Sequence, residues 1–287
     1  MGTTAQKLNK ILETKEAIRT AINNKGGTLT TTDTFASYPS AIDSLPSGGG
    51  DSLKEYLDET KNASYMFCGY TYIGGYDRST TWNSNLTYER LQKILNYNTT
   101  SNVTNMQGMF SNCDKLTSIP LINTSLVTNM SNMFRGSITF KTIPQLDTSS
   151  VIDMSYMFFS TKLVTTPQLN TASVKYMQYM FNNCIKLTTI DITHMNISST
   201  NNTNNFANNC YSLTKLIIRN MTAIPTLNSN AFTNCYHFTG TTNETYNPQG
   251  LKDGRIYVPD DKVEALKTAT NWSTYADIIV PLSTLVE

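Results

Sequence analysis

The residues best able to do chemistry are few: two histidines, His194 and His237, and, between positions 103 and 240, the acids Asp114, Asp147, Asp153 and Asp191. A hydrolytic triad or a zinc site needs a histidine with a carboxylate or thiolate at a metal-ligand or triad spacing, and neither histidine has such a neighbour along the chain. Paired-carboxylate glycoside hydrolysis needs two acids facing one bond. Asp147 and Asp153, the nearest pair, flank the start of one repeat, and nothing else points to that reaction. The glycine runs at 26–27 and 48–50 lack the lysine, serine and strand context of a phosphate loop. The five cysteines, Cys68, Cys113, Cys184, Cys210 and Cys235, are an odd number and do not form a disulfide framework; buried thiols are expected. The expectation is a chain that is not an enzyme, with no catalytic residue, no metal ligand and no cofactor.

The residues that do recur at fixed spacing are apolar. Phe110, Phe134, Phe158, Phe181, Phe206 and Phe232 follow one another at intervals of 24, 24, 23, 25 and 26, a repeat period. In four copies the frame is Val-x-x-Met-x-x-Met-Phe: Val103, Met106, Met109, Phe110; Val127, Met130, Met133, Phe134; Val151, Met154, Met157, Phe158; Val174, Met177, Met180, Phe181. On a helix these positions fall within about 120° of arc, so the spacing predicts a short helix opening each copy. The segments KLTSIPLI, FKTIPQL, KLVTTPQL, KLTTIDI and SLTKLII follow, and their β-branched residues predict a short strand. One coil cannot bury its own stripe, so the copies are expected to stack with their strands in a parallel sheet. The fold class read from this pattern is an α/β repeat solenoid, with a short helix and a short parallel strand per coil, preceded by a small helical N-terminal anchor. The methionines are read as core, and four of the cysteines as a ladder of small buried residues just after the phenylalanines.

The ends differ from the middle. Residues 5–23 place Leu8, Ile11, Ile18 and Ile22 on one helical face, two heptads suited to joining copies of the chain, or to folding onto residues 35–45. This divides the chain into an attachment or oligomerisation segment (1–45), a glycine-rich linker (46–52), an N-terminal cap (53–102), the repeats (103–250) and a C-terminal cap (251–287). The last segment predicts a strand at 256–258, an Asp260 helix cap, a short helix and Trp272 beyond it. Charged residues are 15% of the chain and the net charge is +1, with no basic face for nucleic acid. No apolar stretch suits a signal peptide or membrane insertion.

The stretches VTNMSNMF and LTTIPQLDTSSV resemble the BspA-like class of leucine-rich repeats, and IYVPDDKVEALKTATNWSTYADII resembles the terminal segment of many such arrays. The N-terminal stretch KLNKILETKEAIRTAINNKGGTLTTTDTFASYPSAIDSL resembles the attachment segment of virion proteins in phages of gut and Gram-positive bacteria. These resemblances imply a leucine-rich-repeat fold and an adhesive or virion-structural role, and supply no catalytic residues. The expected protein is a phage fibre or decoration protein, assembled in the host cytoplasm and resident in the virion. Its expected partners are other virion proteins through the N-terminal segment, further copies of itself, and a host-surface glycan or protein. A bacterial surface adhesin of the same class is the alternative, and a cell-wall-polysaccharide enzyme a more distant one. Tyr156 and Tyr179, one coil apart and off the core stripe, with Tyr176 nearby, are the candidate binding surface, because tyrosine rings pack against sugar rings and protein partners alike.

Overall fold

The computed structural model describes residues 95–140, 143–195 and 203–286, together with residues 16, 18–20, 23, 54, 57–67, 88, 91 and 92. The repeated frame is buried as expected: Met130, Met154 and Met177 are wholly inaccessible, and of the sixteen frame residues only Val174, at 5%, shows any exposure. Burying such a side chain contributes roughly 1.5–3 kcal/mol.

The frame is not a helix. In a helix the Phe110 N–H would bond to the carbonyl of Met106; it donates instead to the carbonyl of Met133 in the next copy, at 2.9 Å. Phe134 donates likewise to Met157, Phe158 to Met180 and Phe181 to Phe206, at 2.9, 2.9 and 2.8 Å. Alternate residues extend the ladder, Met106 to Asn129, Gly108 to Ser131 and Asn112 to Arg135. The cause is a pair of left-handed residues in each copy: Gly108 and Asn112, Asn132 and Gly136, Tyr156 and Ser160, Tyr179 and Asn183, with φ from 56° to 69°. Left-handed backbone ends a right-handed helix and turns the N–H groups towards the neighbouring copy. Such turns bring every third or fourth side chain inward just as a helix does, which is why the apolar spacing suggests a stripe.

A parallel bridge precedes each turn, in the series Asn62↔Asn105, Asn105↔Asn129, Asn129↔Asp153 and Asp153↔Tyr176. Its acceptor side chains fold back locally: Asn105, Asn129 and Asp153 take the N–H of Gln107, Ser131 and Ser155 at 3.0, 2.9 and 2.8 Å. Within the core the rings of Phe67, Phe110, Phe134, Phe158 and Phe181 lie parallel, 5.4–5.9 Å apart. Where the methionines give way, Phe206 and Phe232 turn edge-on, at 90°. Among the described residues Phe67 is thus the first member of the ladder, 43 positions before Phe110 where later members are 23 or 24 apart.

The expected strands form fully only late in the chain. Strand β1 (Thr189–His194) pairs in parallel with β2 (Lys215–Asn220), β2 with β3 (Arg255–Val258), and β3 with β4 (Ile279–Pro281). Among the described residues, earlier copies contribute only the single bridges Thr165↔Thr189 and Leu169↔Ile192 to the same edge. Proline explains the difference, since it has no N–H to give a ladder. Aligned on the preceding leucine or phenylalanine, Pro120, Pro144 and Pro167 stand where β1 has Asp191 and β2 has Ile217.

Between β2 and β3 lies a four-residue helix, α1 (Tyr236–Thr239), and between β3 and β4 lies α2 (Val263–Thr268). The expected cap at Asp260 is not made: its carboxylate accepts the N–H of Ser283 at 3.1 Å, tying the last turn to the end of β3. Trp272 is fully buried and its Nε1–H donates to the carbonyl of Pro225 at 2.8 Å, closing the far end of the core. Among the described residues no helix is long and apolar enough to cross a membrane.

Candidate functional site

The turns that follow each bridge form a common rim, and its side chains are set by the left-handed positions. Glycine or asparagine suits such a position, and Gly108, Asn132 and Asn205 occupy it in three copies. Three copies place tyrosines there, Tyr65, Tyr156 and Tyr179, at φ 55°, 58° and 58°, and the last two stand in successive copies. Bulky left-handed residues cost of order 1–3 kcal/mol, and such strain clusters at functional sites. The rings of Tyr156 and Tyr179 stack face to face, 4.7 Å apart and within 6° of parallel. Their backbones are pinned by the inter-copy ladder, Tyr156 N–H to Gln178 and Tyr179 N–H to Asn204, at 3.0 and 2.9 Å.

Two further residues complete the cluster. Phe159 leans on Tyr156 with ring centroids 5.7 Å apart, and the Arg135 guanidinium lies over both rings, 5.3 Å from Tyr156 and 4.9 Å from Phe159. Arg135 is exposed, and its remaining bond is a long one to Asn132 Oδ1, 3.3 Å. At an exposed site a cation over one ring contributes about 0.5–1 kcal/mol. Partial burial and the neighbouring Tyr179 push the Tyr156 hydroxyl above its ordinary range, with Arg135 opposing them. Sequence reasoning singled out neither Arg135 nor Phe159, although each directly follows a frame phenylalanine and so shares one position in successive copies. Tyr176 sits apart: it occupies the bridge position, is 44% exposed, and among the described residues makes no ring contact with that stack.

The other chemically able residues are engaged in the fold. Asp147 accepts the backbone N–H and hydroxyl of Ser149, at 3.0 and 2.6 Å, which holds its carboxyl below the usual range. Asp191 receives Arg219 in a forked pair across β1 and β2, with Nη2–Oδ2 at 2.7 Å. His194 contacts Thr193 and Asn220. The folded chain does supply His237 with a carboxylate that sequence spacing concealed, Asp253 at 2.7 Å. Among the described residues no group of three His, Cys, Asp or Glu side chains is arranged to hold a metal ion.

The cysteine ladder is formed. Cys113 donates its thiol to the Phe67 carbonyl, Cys184 to Phe158, Cys210 to Phe181 and Cys235 to Ala207, at 3.1, 2.9, 2.9 and 3.0 Å. Ser137 fills the same place, donating to Phe110 at 2.6 Å, so the position asks for a small donor rather than for thiol chemistry. All four cysteines are free and buried, and burial pushes the Cys210 and Cys235 thiols well up. Cys68 lies outside the described residues. Of the N-terminal stripe, Ile18 is helical and 6% exposed, within the chain's continuous core; Leu8, Ile11 and Ile22 lie outside the described residues.

The family described as "Mycoplasma protein of unknown function, DUF285" matches residues 79–167 and 142–245, which together span more than half of the 287 residues. The chain belongs to this family. The matched span holds Tyr156 and Tyr179 with Arg135 and Phe159, and stops short of β3. No curated protein and no solved structure matches the chain.

Proposed function

We propose that residues 53–287 form a BspA-like leucine-rich-repeat solenoid, and that the protein is a phage virion component of the fibre or decoration type, displaying this array for adhesion to the host surface or its glycans. The observation that carries the adhesive part is the Tyr156–Tyr179 stack: two tyrosines in successive copies, held in left-handed backbone at a position where Gly108, Asn132 and Asn205 stand in other copies, with their rings face to face on the rim. The virion part rests on the resemblance of residues 1–45 to phage attachment segments. In this reading the N-terminal segment joins the protein to its own copies and to other virion proteins, and the repeats are presented beyond the linker at 46–52.

Immunogold labelling of purified particles with antibody against residues 53–287 tests the assignment. Label on projecting structures is expected; particles that lack the protein overturn the virion part. A second reading, a bacterial surface adhesin, is favoured by the family's own description, which names Mycoplasma proteins. Label on bacterial cells that carry no phage would establish it.

A further inference from the structure

The rim carries a charge that the fold does not use. Arg135 is exposed, lies over Tyr156 and Phe159, and pairs with no carboxylate among the described residues, whereas Arg219 on the sheet is satisfied by Asp191 in a forked pair. A guanidinium held over aromatic rings loses less freedom on binding than a free one, and its planar fork of N–H groups matches the two oxygens of a carboxylate or phosphate. Beside it, the half-buried rings of Tyr156, Tyr179 and Phe159 offer apolar walls about the size of a sugar ring. The acids of the adjoining turns do not compete, because Asp147 and Asp153 are turned back onto the N–H groups of Ser149 and Ser155.

We propose that the rim around Arg135, Tyr156, Phe159 and Tyr179 is a receptor site for an anionic glycan, with Arg135 taking a sugar carboxylate or phosphate and the rings taking the sugar's apolar face. The inference deepens the adhesive reading above and rests on it. It excludes a neutral glycan as the preferred ligand, since such a ligand would leave the guanidinium without its partner. It also places the charge-reading element one copy before the tyrosines, so that the site spans three consecutive copies.

Calorimetric titration of the full chain with three probes tests it: tetragalacturonate, glucose 6-phosphate and the neutral maltotetraose. Binding to one of the anionic probes is expected at least tenfold tighter than to maltotetraose, and whichever binds better identifies carboxylate or phosphate as the group read. Arg135→Gln should weaken that binding tenfold or more, while Arg135→Lys, which keeps charge but loses the fork, falls between. Tyr156→Asn should weaken it too without unfolding, because asparagine already stands at that left-handed position in the preceding copy, Asn132. Equal binding of maltotetraose, lost in Tyr156→Asn but not in Arg135→Gln, overturns the anionic inference and leaves glycan adhesion standing. No binding of any probe overturns the site itself, and the virion reading is decided separately by the gold label on particles.

Discussion

Gly108 shows at a single residue how closely the copies approach. Its φ is +61°, and a Cβ built there would come within 2.3 Å of the Tyr65 ring. Gly108→Ala should therefore destabilise the protein by at least about 1–2 kcal/mol from backbone strain alone, with displacement of Tyr65 adding to it. Denaturant unfolding monitored by tyrosine fluorescence measures this. The core position next to it responds by a different mechanism: Met130→Ala leaves a cavity in a fully buried layer and should cost about 2–5 kcal/mol in the same assay. The thiol ladder makes a prediction about reactivity. Buried thiols are out of reach of reagents, and burial also raises the pKa of Cys210 and Cys235, so Cys113, Cys184, Cys210 and Cys235 should resist iodoacetamide in the native protein and react fully after unfolding, as counted by mass spectrometry.

At the scale of the element, strand length follows the presence of a single N–H. Pro167 occupies the register of Asp191 and Ile217, so Pro167→Val should extend pairing on the β1 edge and increase the β signal in far-ultraviolet circular dichroism; an unchanged spectrum would mean that the bend has another cause. Trp272→Ala should remove the closing contact on Phe232 and the bond to Pro225, costing about 3–5 kcal/mol. Much of this was legible in the sequence. The Val, Met and Phe positions are core, the cysteine ladder is a ladder, and the strand at 256–258 and Trp272 close the far end. The helix expected in each copy was not legible as a turn, because periodicity reports which side chains point inward and not where the N–H groups go. Tyr156 and Tyr179 stood out as aromatics off the core stripe, but their left-handed backbone did not, since tyrosine rarely adopts it. Arg135 comes beside Tyr156 only through stacking of successive copies, Phe159 meets Tyr156 within one turn whose backbone the periodicity does not reveal, and Asp253 reaches His237 only through the turn after α1.

Across the described repeats the molecule is one hydrogen-bonded series of copies in which each turn supplies the acceptors for the one before, so stability is distributed along that series. Acid should act on it through a few carboxylates. The Asp147 carboxyl is held below the ordinary aspartate range by the hydrogen bonds of Ser149, and that of Asp277 by Lys252. A carboxyl with a lowered folded pKa contributes stability above its unfolded value and loses it as pH falls through the folded one. The melting temperature should thus be level above about pH 4 and decline below it, and Asp147→Asn should flatten that decline. The central claim is that the Val-Met-Met-Phe frames lie one upon another as turns and not as separate helices. Nuclear Overhauser contacts between the rings of Phe110, Phe134, Phe158 and Phe181 test it most directly. The account predicts ring-to-ring cross-peaks between each successive pair, at separations of 5.4–5.9 Å. Rings that contact only residues three or four places away in their own copy, with no signal from copy to copy, would contradict it.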